Sequence, residues 1–88
     1  MSEDVRRVLG SNVRRLRKAA ALTQAELANR MGVDRAYVSG LELGQRNPTI
    51  VTLWHLGQAL ETDLREFFSR PRIRGSRAAG AKRVASKR

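Results

Sequence analysis

Between Thr23 and Thr49, in the run TQAELANRMGVDRAYVSGLELGQRNPT, local signals leave the chain little conformational choice. Thr23 followed three residues later by Glu26 is the pattern of a capping box, in which the hydroxyl accepts from the N–H of residue 26 and the carboxylate reaches back to the N–H of residue 23. A helix therefore starts at Thr23. Leu27, Ala28 and Met31 recur at helical spacing, and Ala28 is small where a following helix has to approach its backbone closely. Gly32 is placed to end the helix in a left-handed conformation. Val33 then plugs the space between two helices, and Asp34 can cap the second. That second helix turns Ala36 or Tyr37, Val38 and Leu41 inward and ends by about Gly44.

Two short helices joined by a glycine-containing turn match the helix-turn-helix unit, whose second helix sits in a DNA major groove. The flanking segments are helical too. Val5, Leu9, Val13 and Leu16 form one apolar stripe on a helix expected to begin after Ser2, with Glu3 and Asp4 in the first turn where the helix dipole favours acids. Gly10 interrupts that stripe, so its first half is expected to fray. Pro48 and Thr49 announce another helix with Ile50, Leu53, Leu56, Gly57 and Leu60 as its buried stripe. A last short helix carries Leu64, Phe67 and Phe68 and is closed by Pro71. No segment alternates with the period of a strand. The expectation is an all-α fold, five helices around one core.

Composition narrows the function classes. The 88 residues hold one domain, and the net charge of +10 is unevenly placed. From Arg70 to Arg88 eight basic residues occur with no acid, whereas residues 1–69 carry ten basic and eight acidic residues. Residues 1–69 are thus read as the DNA-binding domain, and 70–88 as a basic tail, too poor in large apolar residues to fold alone. There are no cysteines, so no disulfide framework, thiolate metal site or cysteine nucleophile is available, which fits a reducing cytoplasm. No apolar run approaches the roughly 20 residues a membrane helix needs, and no signal-peptide pattern appears.

With these elements placed, the chain from Leu9 to Phe68 resembles the phage repressor and Cro family of helix-turn-helix domains, the xenobiotic-response-element type. Leu16-Arg17, Leu22-Thr23-Gln24, Glu26-Leu27-Ala28, Gly32-Val33, Tyr37-Val38-Ser39, Leu41-Glu42, Gly44, Arg46 and Pro48 match its pattern in register. The resemblance implies a lambda-repressor-like, five-helix DNA-binding domain that regulates transcription, usually as a dimer on an operator with two half-sites. Two positions depart from the pattern. Ala21 stands where a glycine is common, a change expected to be harmless, and Leu43 replaces a polar or basic residue that can touch phosphate.

Roles follow from the same resemblance. Arg35, Ala36, Ser39 and Gly40 match groove-facing positions of the recognition helix. Arg35 is the strongest base reader, since a guanidinium pairs bidentately with guanine O6 and N7; its alternative is a phosphate contact. Ala36 can pack on a thymine methyl, Ser39 discriminates weakly and Gly40 has no side chain to read with. Thr23 and Gln24 match phosphate contacts at the second helix's start, where free N–H groups add to the attraction. Gln45, Arg46 and Asn47 match the phosphate-contacting loop, with a solvated loop as the alternative. Tyr37 either reaches a phosphate or forms an amphipathic core edge. Arg17 and Glu42 match an internal ion pair between the first and third helices.

Trp54 lies about a quarter-turn off its helix's buried stripe, and Phe68 is surplus to a small core. A twofold dimer through the last two helices is expected there, because aromatics are enriched at interfaces. His55 has no ligand partner at suitable spacing, and no nucleophile–base pair, phosphate loop or carboxylate dyad can be assembled, so neither metal, cofactor nor catalysis is expected. The leading reading is a homodimer on a pseudo-palindromic operator of double-stranded DNA that blocks or recruits RNA polymerase. The other is a protein-interaction module, antitoxin-like or coactivator-like, with weak or non-specific DNA binding.

Overall fold

A computed structural model describes residues 4–70. The expected roles of Glu3, Pro71 and the basic segment 71–88 lie outside those residues. Four α-helices follow in order: α1 (Val5–Ala19), α2 (Gln24–Met31), α3 (Arg35–Glu42) and α4 (Ile50–Leu60). The expected fifth helix is instead a 3₁₀ turn, Leu64–Phe68. Its bonds run back three residues, Glu66 N to Asp63 O at 2.9 Å and Ser69 N to Glu66 O at 3.4 Å. Five residues are too few to establish an α-helical ladder against the cost of its nucleus. The described residues are therefore all helix, turn and loop, with four α-helices where the sequence suggested five.

Helix α1 packs on α3 and on the 3₁₀ turn, α2 packs on α3 and α4, and the turn closes on α4. Between them lie Leu9, Val13, Leu27, Ala28, Val38, Leu41, Leu56, Ala59, Leu60 and Phe67, a core built from every element. Phe67 is its largest fully buried side chain, while its neighbour Phe68 points to solvent.

Several expectations change at contacts between elements. Asp4 does not lie within the first turn of α1 but caps it, accepting from Arg6 N at 3.0 Å. Gly10 does not fray the helix. A Cβ there would lie 2.7 Å from the carbonyl oxygen of Glu42 and nearer still to that of Leu41, so glycine lets α1 seat directly against the end of α3. Asn12, two residues on and so on the opposite side of α1, is buried and donates its Nδ2 to the carbonyls of Phe67 at 2.9 Å and Ser69 at 2.7 Å, tying the 3₁₀ turn to α1. In α4, Leu56, Gly57 and Leu60 are buried and Leu53 half-buried, but Ile50 is 75 % exposed. Ile50 shares a helix face with Gly57, which the Leu64 side chain covers, yet Ile50 itself stays in solvent. Ala21 adopts φ +60°, a left-handed conformation that costs a side-chain-bearing residue, so the replacement of glycine at this position is not harmless.

Candidate nucleic-acid interface

The turn between α2 and α3 is built as its residues dictate. Thr23 Oγ1 accepts from Glu26 N at 3.0 Å while Thr23 N donates to Glu26 Oε1 at 2.8 Å, closing the capping box. Gly32 ends α2 at φ +73°, where a side chain would be strained, and its own Cβ position opens onto empty space. Val33 follows, half-buried against the core. Asp34 occupies the cap position of α3, but its carboxylate makes no capping hydrogen bond.

Helix α3 then turns Val38 and Leu41 fully inward and Tyr37 partly so, leaving Ala36 exposed. Arg35 and Ala36 are both exposed at the helix start, with Ser39 half-buried one turn on. Gly40 departs from its expected place on this face. It is buried, and the side chain of Arg46 lies across it, with Nε 3.0 Å and Cγ 3.3 Å from where a Cβ would stand. Arg46 thus folds back from the loop onto the recognition helix. Its guanidinium carbon sits 5.2 Å from the centre of the Tyr37 ring, a cation–π contact that holds both groups at the surface. Gln45 and Asn47 are exposed on either side of it.

Behind this face lies a polar seam. Arg17 Nε donates to Glu42 Oε2 at 2.6 Å and Nη2 to Oε1 at 3.1 Å, with Nη1 donating to the carbonyl of Leu22 at 2.8 Å. The side chains are 11 % and 4 % exposed, so the pair joins α1 to α3 out of water. Hydrogen bonding to Glu42 raises the Arg17 pKa above its already high ordinary value, so the guanidinium stays charged. Gln24 enters the same seam. Its Nε2 donates to Glu42 Oε1 at 3.0 Å, and its Oε1 accepts from Arg35 Nη1 at 3.0 Å.

Gln24 and Arg35 are thus joined by a hydrogen bond, and Ala36, Tyr37 and Arg46 border one hollow with Gly32, Val33 and Asp34. Trp54 borders a hollow with Gly57, Gln58 and Leu64, and Phe68 borders one with Val5, Pro48 and Leu53. Among the described residues no group of three or more His, Cys, Asp or Glu side chains could hold a metal ion, and no helix is long and apolar enough to cross a membrane. Sequence reasoning missed Gly10, Asn12 and the Gln24 bridge. For Gly10 a signal existed, since it lies seven residues from Arg17 and so on the same helix face.

The profile of the HTH_3 family, described as helix-turn-helix, matches residues 13–67. The chain belongs to the helix-turn-helix family. Within it, the HTH-type transcriptional regulator y4dJ of Sinorhizobium fredii is 51 % identical over 57 residues, 65 % of this chain and 74 % of that protein. The control protein C.SmaI of Serratia marcescens is 36 % identical over 67 residues, 76 % of this chain and 80 % of its own length. Among solved structures, the restriction-modification controller protein C.AhdI of Aeromonas hydrophila superposes with a TM-score of 0.69 at 43 % identity, covering 72 % of this chain and 91 % of that one. These relatives are named as transcriptional regulators and controller proteins.

Proposed function

We propose that the chain is a sequence-specific DNA-binding transcriptional regulator that binds as a homodimer and places α3 of each protomer in successive major grooves, about 34 Å apart. The observation that carries this reading is that Arg35 and Ala36 stand exposed at the start of α3, with Arg35 bonded to Gln24 at the start of α2 and Arg46 of the following loop lying against Tyr37. Arg35 reads guanine, Ala36 packs on a neighbouring base, and Ser39 adds a weak contact. Thr23, Gln24, Tyr37, Gln45, Arg46 and Asn47 contact phosphate and hold the register. Gly40 has no part in base reading, because Arg46 covers it.

The dimer rests on the apolar side chains that α4 leaves in solvent, Ile50, Val51 and Trp54, of which Trp54 is 58 % exposed. Phe68 adds a further exposed apolar side chain on the 3₁₀ turn. The basic segment 71–88 adds sequence-independent attraction to any duplex, and the regulator acts in the cytoplasm by blocking or recruiting RNA polymerase.

The test is a titration of an operator, recovered by selection from random DNA, against random duplex at physiological salt. The operator should bind at least a hundredfold more tightly. Equal affinities would favour a protein-interaction module, which the same exposed apolar face of α4 would serve.

A further inference from the structure

Helix α1 carries six basic residues and no acid, whereas residues 20–69 carry four basic and six acidic ones, so the positive charge of the folded body is concentrated on one helix. Its cations divide by face. Arg6 pairs with Asp4 at 2.8 Å, Arg15 with Glu66 at 3.4 Å and Arg17 with Glu42 at 2.6 Å. Arg7, Arg14 and Lys18 stand in no ion pair among the described residues, and all three are exposed. At about 100° of turn per residue these three fall within a sector of about 40°, opposite Leu9 and Leu16, and span about 16 Å along the axis. The paired cations lie about a quarter-turn to either side. Arg14 and Lys18 are four residues apart, a like-charge spacing that destabilises a helix unless an anion lies along the face.

We propose that Arg7, Arg14 and Lys18 form a backbone track for duplex DNA outside the half-site that α3 reads. The proposal rests on the reading of the chain as a DNA-binding protein. A row of unpaired cations matches a phosphate backbone, whose charges repeat along a line, and carries no means of reading bases. Both ends of the row adjoin segments proposed to contact phosphate. Arg7 lies against Gly44, with its Cγ 3.0 Å and its Cα 3.3 Å from where a Cβ would stand, next to the loop 45–47. At the other end, Ala21 N donates to Lys18 O at 3.0 Å in the turn that leads to Thr23 and Gln24. The row therefore runs along the edge of the proposed interface, where a duplex continuing past the half-site meets it.

The test compares two operator duplexes with the full-length chain, one ending at the half-sites and one extended by about 10 base pairs, one helical turn, on each side. The triple variant Arg7→Gln, Arg14→Gln, Lys18→Gln keeps good helix formers on the face and an aliphatic stem over Gly44, and circular dichroism should show an unchanged fold. It should bind the extended duplex about tenfold more weakly than wild type, with a shallower salt dependence, and the short one within about twofold. The short duplex controls for the lost net charge, which acts on both lengths. An equal loss on both lengths would reduce the three cations to net charge or place them within the half-site, and no loss on either would leave them a solvated face; each result overturns the track. If the short operator binds no better than a short random duplex, the sequence-specific reading falls, while a loss confined to the extended duplex still upholds the track.

Discussion

At Gly10 a single methyl group decides whether two helices can meet. Backbone carbonyls of α3 occupy the space a Cβ would need, and backbone cannot turn aside as the end of a flexible side chain can. Gly10→Ala gains about 1 kcal/mol of helix propensity but overpacks this seam, and a net loss of about 2 kcal/mol is expected in urea denaturation. The opposite change applies at Ala21, whose φ of +60° suits glycine. Ala21→Gly removes about 1 kcal/mol of strain and gives back part of it as unfolded-chain entropy, so the unfolding free energy from urea denaturation should rise by about 0.5 kcal/mol. Neither residue touches the proposed DNA surface, and operator affinity in the folded protein should not move.

The elements are held together by polar ties as much as by the core. Asn12 supplies both donors that satisfy the carbonyls of Phe67 and Ser69. Its loss in Asn12→Ala strands those groups at a cost of about 2 kcal/mol, and hydrogen exchange should show the Leu64–Phe68 amides losing protection before those of α2 and α3. Arg17→Met removes one partner of the largely buried ion pair and leaves the Glu42 carboxylate with only Gln24, for an expected loss of about 3 kcal/mol by thermal denaturation. The side-chain hydrogen bond from Arg6 holds the Asp4 carboxyl down at about 2, and Arg65 lowers that of Asp63 in the same way. Because both values are depressed on folding, the support these caps give α1 and the 3₁₀ turn is complete above the ordinary carboxylate range. It fades as pH falls from about 4 to about 2, where far-ultraviolet circular dichroism should report fraying at those two starts.

For the whole molecule the open surface of α4 is the decisive feature. Three large apolar side chains in solvent on one short helix suit a shared interface better than an isolated protomer. Trp54→Ala should shift sedimentation equilibrium toward monomer and lower operator affinity while leaving the base preference of each half-site intact; an unchanged mass would rule out this face as the interface. Deletion of residues 71–88 should instead weaken specific and random duplexes by the same factor and flatten the salt dependence of both.

The helix-turn-helix itself was legible from local rules: the Thr23–Glu26 capping box, the left-handed Gly32 and the apolar spacing of α3 each act within a few residues of chain. The same rules placed Arg17 and Glu42 only through resemblance, since nothing within α1 announces a partner 25 residues away. Where the outcome depended on another element, local reading went astray. Gly10 became a helix seat, Ile50 stayed in water, Gly40 was covered by Arg46, and the last helix tightened to a 3₁₀ turn held by Asn12. Periodicity gives the direction in which a side chain leaves its helix. Whether anything waits there, a carbonyl, a guanidinium or open solvent, depends on packing between segments distant in sequence, and the coupling of Arg35 to Glu42 through Gln24 exists only once α2 and α3 have met.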